Sequence, residues 1–325
     1  MLHFIKMENS LHFKNIFTQT LQADWLQKNN ARLDVLRLDK FHEVISGNKW
    51  FKLKYYLSDA KQKNCDTIGT FGGAFSNHIV ATAFACHEEG LKSIGIIRGE
   101  EPAVLSHTLQ TAKSYGMQLE FVTRALYNDT NFIKEAFKNV YWIEEGGYGA
   151  NGVKGAKEIL DFCNEPEKYS HIVCAVGTGT MMAGIIQAVN LNQTVIGVSV
   201  MKGNYTLTEK VEALLQTTEK YKSYHIQQDY HFGGYAKHPP ELIEFMNEVW
   251  KQHQLPTDIV YTSKTFYGVQ QMIINNTIPE DSNVLMIHSG GLQGNFSLLK
   301  SAKIFHVLKL TDSNHSFPVF IPQFC

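Results

Sequence analysis

The chain has 325 residues, 44% of them hydrophobic and 12% aromatic, which is enough material for a packed core and fits about two domains. Its 30 basic and 31 acidic residues give a formal net charge of −1, which argues against a nucleic-acid footprint and against an anionic membrane surface. The five cysteines show no metal or redox spacing, so we interpret them as free thiols of a reducing cytoplasm. The short apolar patch at residues 2–5 is not a signal peptide, and a cytoplasmic protein without a metal site is expected.

The first distinctive segment along the chain is Gly47-Asn48-Lys49, in which a lysine follows a tight turn. A lysine that forms a Schiff base needs such a setting, because its amine must be held rigidly against a carbonyl carbon. The alternative is a surface lysine at the start of a helix. We assign the neighbouring Trp50 and Phe51 to packing.

From about residue 65, short apolar strands alternate with helices of about three turns, a pattern typical of βαβ units around a parallel sheet. The predicted strands cover residues 66–71, 93–97, 117–122, 140–143, 171–176, 194–200 and 283–287. The predicted helices cover residues 77–88, 107–115, 131–138, 153–162, a stretch from 181, 240–253 and 265–275. Residues 204–237 are the least regular. The pattern predicts an α/β protein with two domains, and the glycine-rich residues 146–152 lie at a crossing between them.

The turn after the first of these strands carries Ser76, Asn77 and His78. In α/β sheets the carboxyl ends of the strands are where ligands bind. Helix capping is the alternative, since serine and asparagine are both good N-caps. Capping requires only one of them, so three polar groups in succession favour a binding role.

Gly177-Thr178-Gly179-Thr180 follows an apolar strand and precedes a helix that begins near Met181. The unpaired amides of a helix start and the helix dipole favour an anion there. The motif has neither the Walker spacing nor the full dinucleotide fingerprint, so it predicts a phosphate of mononucleotide size. An ordinary strand-to-helix turn is the alternative.

Two further polar motifs lie at element ends, Tyr261-Thr262 and His288-Ser289-Gly290-Gly291. A tyrosine and small hydroxyls could supply a proton donor and a contact to a ring nitrogen. For Tyr261, a buried core tyrosine is the alternative interpretation.

In this order the motifs resemble the pyridoxal-phosphate enzymes grouped as 1-aminocyclopropane-1-carboxylate deaminase and D-cysteine desulfhydrase. These enzymes have the tryptophan-synthase-β-like fold, fold type II, and the resemblance covers roughly residues 33–295. It implies two open, twisted, mostly parallel-sheet domains with the active site in the cleft between them. The larger, cofactor-binding domain would comprise residues 1–52 and 149–325, and the smaller one residues 53–148.

The resemblance also implies a role for each motif. Lys49 would hold pyridoxal phosphate covalently and act as the base, while residues 177–180 and Lys52 would bind the phosphate. Asn77 would bond the phenolic oxygen of the cofactor and Thr262 its ring nitrogen. The implied cofactor-binding residues are Lys49, Lys52, Asn77, Gly177, Thr178, Gly179, Thr180 and Thr262. The implied catalytic residues are Lys49, Ser76, Tyr235 and Tyr261, and the implied substrate-binding residues are Ser76, Asn77, His78 and Ser289.

The chain departs from the family pattern at Phe51, where arginine is usual, and at Lys54, where an acidic residue is usual. Ring opening is associated with a glutamate at the position of Thr262 and a leucine at the position of Ser289. A neutral hydroxyl at 262 implies a weaker electron sink, which suits β-elimination of a good leaving group. The expected reaction is therefore β-elimination from D-cysteine or a related β-substituted amino acid to a 2-oxo acid and ammonia.

The sequence leaves two alternatives open. The first is ring-opening deamination of 1-aminocyclopropane-1-carboxylate to 2-oxobutanoate and ammonia on the same scaffold. The second is a non-catalytic protein that binds a small phosphorylated ligand. The resemblance implies a homodimer that acts on a small amino acid, with no nucleic-acid or membrane partner. The tail at residues 303–325 has no assigned role.

Overall fold

The structure of the protein is a computed structural model that describes residues 11–298. The N-terminal patch at residues 2–5 and the tail at residues 303–325 lie outside the described residues. The strands are β1 (Thr18–Thr20), β2 (Arg32–Arg37), β3 (Thr67–Gly72), β4 (Lys92–Arg98), β5 (Gln118–Val122), β6 (Tyr141–Ile143), β7 (His171–Val176), β8 (Thr194–Ser199), β9 (Ser223–Gln227) and β10 (Asn283–His288).

The α-helices alternate with these strands. They are α1 (Asp24–Lys28), α2 (Asn48–Gln62), α3 (Asn77–Glu88), α4 (His107–Ser114), α5 (Arg124–Tyr127), α6 (Thr130–Ala136), α7 (Ala150–Lys157), α8 (Thr180–Ala188), α9 (Leu207–Glu212), α10 (Pro240–His253) and α11 (Thr262–Ile274). Within residues 11–298, no helix is both long enough and apolar enough to span a bilayer.

The strands form two sheets, as the sequence pattern predicts. The larger has six strands in the order β1-β2-β10-β7-β8-β9, and the smaller has four in the order β5-β4-β3-β6. Every pairing is parallel except that of β1 with β2. The smaller sheet is built entirely from chain that lies between β2 and β7. The domain boundaries at residues 52/53 and 148/149 stay a prediction.

Helices cover both faces of the larger sheet, which is why its central strands are continuous apolar runs. In β7, Ile172 and Cys174 pack into one hydrophobic core, whereas Val173 between them packs into the core on the opposite face. The same alternation occurs in β10, where Leu285 joins the first core and Met286 the second. Successive strand residues point to opposite faces, so both faces are buried.

Helix α2 is placed between the two sheets. It packs against α7 and α8 on the side of the larger sheet and against α3 on the side of the smaller one. Trp50 and Phe51 of α2 are 4% and 1% exposed within the first core, which confirms their assignment to packing. The first turn of α2 therefore lies where the sheets approach each other.

The structure corrects several element predictions. Strands β1 and β2 and helix α1 were not predicted from the sequence, and residues 204–237 contain α9 and the edge strand β9. The helix predicted at residues 153–162 begins at Ala150, directly after Gly149 at φ 130°, and it tightens into a 3₁₀ helix over Glu158–Phe162. The helix predicted from residue 265 begins at Thr262, because a carboxylate caps it there.

Candidate active site

The predicted site residues come from the carboxyl ends of strands in both sheets and from the helices that follow. Ser76 and Asn77 follow β3, the loop of residues 177–180 follows β7, and Ser289 follows β10. Lys49 lies in the first turn of α2 and Thr262 begins α11. This is the edge of α/β sheets at which ligands bind.

The turn before Lys49 requires glycine at position 47. Gly47 has φ 68° and ψ −139°, and a Cβ built on it would lie 1.8 Å from the carbonyl oxygen of Ser289. The same carbonyl accepts a hydrogen bond of 3.3 Å from the amide of Asn48. The start of α2 is therefore fixed directly against the end of β10.

The amine of Lys49 is buried, so the surface-lysine alternative is wrong. The residue is 8% exposed, and its Nζ donates a 2.8 Å hydrogen bond to Oδ1 of Asn48. Nζ also lies 5.7 Å from the ring centroid of Tyr261. Burial lowers the pKa of Lys49 to about 8, against the opposing effect of the Asp258 carboxylate. Because the uncharged amine is the nucleophile, this pKa prepares Lys49 to attack a carbonyl carbon near neutral pH.

Lys52, one turn further along α2, points toward the phosphate-loop candidate. Its Nζ donates a 2.6 Å hydrogen bond to the carbonyl oxygen of Gly146. A Cβ built on Gly146 would lie 2.7 Å from Cγ2 of Thr178, so Gly146 lies directly against the loop. Burial, followed by the charge of Lys49, holds the pKa of Lys52 well below its ordinary value.

The loop of residues 177–180 presents an uncapped helix start. Gly179 is the N-cap of α8, at φ 93°, and no side chain caps the helix. The hydroxyls of Thr178 and Thr180 lie 3.2 Å apart. Free amides, the one hydroxyl hydrogen that is not shared between the two threonines and the helix dipole make this a suitable position for a phosphate. A Cβ on Gly177 would lie 3.4 Å from the Tyr261 ring, so the loop and the Lys49 amine both lie near this ring.

Ser76 and Asn77 begin α3 at the other side of the site. The oxygen of Ser76 accepts a 3.4 Å bond from the amide of Ile79, so Ser76 does cap the helix, and its hydroxyl hydrogen remains available to a ligand. Asn77 is 6% exposed, and its buried Oδ1 has no hydrogen-bond partner among residues 11–298. A Cβ on Gly291 would lie 2.8 Å from Nδ2 of Asn77, which brings the end of β10 to this turn.

His78 faces the smaller sheet. Thr70 donates its hydroxyl hydrogen to the carbonyl of Ile143 over 2.9 Å, so the 2.9 Å contact between Thr70 and His78 Nε2 requires Nε2 to carry the hydrogen. Burial, followed by the charges of Lys52 and Lys49, holds the pKa of His78 well below its ordinary value. The ring is therefore neutral. Its Nδ1 has no partner in the described chain, so the predicted substrate contact would use Nδ1 as an acceptor.

Tyr261 and Tyr235 form a pair. The hydroxyl of Tyr261 donates to the hydroxyl of Tyr235 over 3.0 Å, and their rings are edge-to-face with centroids 5.8 Å apart. Burial and then Tyr235 hold the pKa of Tyr261 well above its ordinary value, so Tyr261 stays protonated as a potential proton donor. Its ring beside the Lys49 amine argues against a purely core role.

The sequence prediction missed Asp258, which is 1% exposed. Its Oδ2 accepts bonds of 2.9 Å from the amides of Val260 and Tyr261, and its Oδ1 accepts from the amide and hydroxyl of Thr262 over 2.8 and 2.6 Å. An aspartate shortly before a helical run is a capping signal, and it could have been recognised as one.

A second buried network under the site was also missed. His288 Nε2 lies 2.7 Å from the carbonyl oxygen of Pro256, and its Nδ1 lies 3.3 Å from the Asp39 carboxylate. Asp39 accepts two 2.7 Å hydrogen bonds from Arg37. Burial alone would raise the pKa of Asp39, but His288 and Arg37 outweigh it and hold this pKa below its ordinary value. The network fixes the strand end that carries Ser289.

These features fit a phosphorylated pyridine aldehyde. The uncapped start of α8 and the hydroxyls of Thr178 and Thr180 suit its phosphate, and the buried amine of Lys49 suits its aldehyde carbon. The buried amide oxygen of Asn77 has no donor within the described residues, and a hydroxyl substituent on the pyridine ring could supply one. Within the described residues, no group of three or more histidine, cysteine or acidic side chains could hold a metal ion.

Comparisons with known proteins agree with this chemistry. The family model described as "pyridoxal-phosphate dependent enzyme" matches residues 15–290. A putative 1-aminocyclopropane-1-carboxylate deaminase of Thermotoga maritima is 33% identical over 293 residues, 83% of this chain and 92% of that protein. A mitochondrial bifunctional D-cysteine desulfhydrase/1-aminocyclopropane-1-carboxylate deaminase of Arabidopsis thaliana is 28% identical, over 82% of this chain and 74% of that protein. The crystal structure of an "ACC deaminase homologue" matches with a TM-score of 0.76 at 26% identity, over 87% of this chain and 91% of that one.

Proposed function

The chain belongs to the pyridoxal-phosphate dependent enzyme family, and we propose that it is a deaminating lyase that acts on D-cysteine or a related β-substituted amino acid. With D-cysteine and water, the products would be pyruvate, hydrogen sulfide and ammonia. The observation that carries the proposal is the buried Lys49 amine, 5.7 Å from the ring centroid of Tyr261, the ring that the loop of residues 177–180 also approaches.

When bound, the cofactor supplies an electron sink for negative charge at the α carbon of the substrate. Lys49 would hold it covalently, the amides and hydroxyls of residues 177–180 would bind its phosphate with Lys52, and Asn77 would bond its ring substituent. The Lys49 amine would act as the base that removes the α proton from the substrate. Ser76 and Asn77 orient the substrate, and the Tyr261–Tyr235 pair holds a proton for the leaving group.

Position 262 supports β-elimination over ring opening. The hydroxyl of Thr262 is neutral and its hydrogen is already donated to Asp258, so the side chain places no charge of its own near a ring nitrogen. A hydroxyl that can only accept stabilises a protonated ring nitrogen less than a carboxylate would, and the resulting weaker electron sink suits a good leaving group such as hydrosulfide. Ser289 also favours β-elimination over ring opening, because the ring-opening members of the family are expected to have leucine at this position.

Ring opening of 1-aminocyclopropane-1-carboxylate remains the second candidate. It is favoured by the 33% identical relative from Thermotoga maritima, whose name gives that activity. The deciding measurement is steady-state release of ammonia from both substrates by the purified holoenzyme. We expect a higher kcat/KM with D-cysteine. A higher value with 1-aminocyclopropane-1-carboxylate would reverse the order, and L-cysteine in the same assay reports the preferred enantiomer.

The role of Lys49 is tested by absorbance spectroscopy. The purified protein should have the absorbance band of a lysine-bound cofactor, and borohydride should abolish it. Lys49→Ala should lose the band, whereas Lys54→Ala, on the same helix but paired with Glu158, should keep it. A colourless protein that takes up no added pyridoxal phosphate would instead support the non-catalytic, phospholigand-binding alternative.

The proposal also covers the cellular location, the oligomeric state and the domain division of the enzyme. A cytoplasmic location is supported by Cys65, Cys86, Cys163 and Cys174, which are all free. A homodimer is proposed from the family resemblance, and light scattering after gel filtration would test it. The two-domain division at residues 52/53 and 148/149 is supported by the strand composition of the two sheets.

A further inference from the structure

Helix α11 contains a lysine that is entirely buried. Lys264 is 0% exposed, although lysine is almost never fully buried unless its charge is paired. None of the ion pairs found within residues 11–298 involves it. Its Nζ donates instead to two backbone carbonyl oxygens, that of Gly234 over 2.6 Å and that of Tyr235 over 3.1 Å.

Both carbonyls belong to the irregular connection between β9 and α10, residues 228–239. Gly233 and Gly234 turn the chain there at φ 88° and 130°. Phe232 packs edge-to-face on Tyr267 with ring centroids 4.8 Å apart. This contact lies before the glycine turn, so it does not fix the residues that follow the turn. At the turn itself, the hydrogen bonds of Lys264 join the main chain of the connection to α11.

Lys264 lies in the first turn of α11, and Tyr261 directly precedes this turn. Tyr261 is the N-cap of α11, and its hydroxyl donates to that of Tyr235. Tyr235 is therefore attached to α11 at both ends, through its carbonyl to Lys264 and through its hydroxyl to Tyr261. Its side chain is otherwise 38% exposed, so packing alone does not fix its position.

We infer that Lys264 is a positioning residue, which sets the location of the Tyr235 hydroxyl and through it the proton held between Tyr235 and Tyr261. The inference rests on the proposed function, because it assigns an effect on turnover to a residue that touches neither substrate nor cofactor. The ammonium would have been more stable in water. The two carbonyls that it holds beside the site and, at longer range, the Asp258 carboxylate stabilise it where it is.

The kinetic test compares holoenzyme variants in a double-mutant cycle. Lys264→Met keeps the length of the side chain and removes the donor, and Tyr235→Phe removes the hydroxyl. Each should lower kcat by about 10- to 100-fold, since a misplacement of about 1 Å can cost about 100-fold. If Lys264 acts through Tyr235, the kcat of the double variant should be no more than roughly twofold lower than the kcat of the slower single variant. Losses that multiply, or an unchanged kcat in Lys264→Met, would overturn the inference.

Lys222→Met is the matched control. Lys222 also donates to backbone carbonyls, those of Ile186, Gln187 and Val189 at the end of α8, but these lie away from the site. This variant should be less stable with an unchanged kcat. If Lys264→Met does not fold, Lys264→Gln keeps an amide donor on a shorter chain, and its kcat should lie between those of the wild type and Tyr235→Phe.

A second readout does not depend on turnover. Trypsin cleavage after the exposed Lys237, followed by mass spectrometry, should be faster in Lys264→Met holoenzyme than in wild type or Lys222→Met. Unchanged cleavage would show that Lys264 does not anchor the connection, whichever substrate the enzyme uses. Faster cleavage in an enzyme inactive on both proposed substrates would support the anchor while rejecting the proposed function.

Discussion

Thr262 donates its hydroxyl hydrogen to the buried carboxylate of Asp258 over 2.6 Å, and the same oxygen accepts the amide hydrogen of Asp258 over 2.7 Å. A hydroxyl has a single hydrogen, so toward any further group Thr262 can only accept. The residue that distinguishes the two proposed activities is thus also part of the cap that begins α11.

Thr262→Val should destabilise the fold. The variant leaves the Asp258 carboxylate without one donor and the Asp258 amide without its acceptor, at a cost of about 1–3 kcal/mol in the free energy of unfolding. Thr257→Val is the matched control, because the Thr257 hydroxyl is buried and has no partner within the described chain. Urea unfolding should show that Thr257→Val leaves the free energy of unfolding unchanged or raises it. Equal losses of unfolding free energy in both variants would contradict the role of the Thr262 hydroxyl in the cap.

The lowered pKa of Lys49 predicts how cofactor-free protein takes up pyridoxal phosphate. The uncharged amine is the reactive form, so the initial rate should rise with pH through a midpoint of about 8 and then level off. The Asp258 carboxylate favours the ammonium, so Asp258→Asn should move the midpoint to lower pH. Stopped-flow absorbance measures both, with Lys49→Ala as the blank. A midpoint near 10.5 would mean that burial does not control the amine.

Gly47→Ala tests the contact between α2 and the end of β10. The new Cβ would lie 1.8 Å from the Ser289 carbonyl oxygen, so α2 must shift, at a cost of about 3 kcal/mol or more in stability. Gly90 has the same φ of 68° with nothing within 4 Å of its Cβ position. Gly90→Ala should therefore cost only about 1–2 kcal/mol for the left-handed conformation. Equal thermal shifts in the two variants would exclude a special role for the contact.

His42 makes the protein sensitive to acid. Its Nδ1 accepts the amides of Val44 and Ile45 over 3.0 and 3.2 Å, and burial, with a smaller effect of His12, lowers its pKa to about 4. The fold thus prefers the neutral ring. The resulting stability is complete above the unfolded pKa of about 6.5 and is lost as the pH falls toward 4.

His42→Asn keeps an acceptor near the position of Nδ1 without titrating in this range. Between pH 7 and 4 the variant should lose about 1–2 kcal/mol less unfolding free energy than the wild type, a value reduced for the partial exposure of the ring. Urea titrations at a series of pH values measure this difference. Parallel curves for both proteins would show that another group causes the acid sensitivity.

The sequence predicted the parts of the fold that depend on local patterns. β7 and α10 have the predicted bounds, because a run of buried apolar residues and a proline-initiated amphipathic stretch are both visible within a few positions. The glycine-rich turns were recognised for the same reason. The edge strand β9 was missed because its partly exposed residues break the apolar pattern.

The supporting residues of the site could not be predicted in this way. Lys264 binds carbonyls about 30 residues away in the chain, and His288 faces Asp39 across strands β10 and β2. Such contacts exist only once distant segments meet, and a lysine or a histidine in sequence does not indicate its partner. Asp258 is the exception, because an aspartate shortly before a helix is a local capping signal.

The pairing of β2 with β10 has a consequence for how the protein is made. Asp34 lies opposite Leu285, so the larger sheet closes only after nearly all of residues 11–298 have been synthesised. The four strands of the smaller sheet lie within residues 67–143, and they can pair while the rest of the chain is still emerging. Gly47 meets Ser289, and Asn77 meets Gly291, only at that last step. A nascent chain that stalls before β10 therefore has its reactive lysine but lacks the strand end against which the start of α2 is fixed.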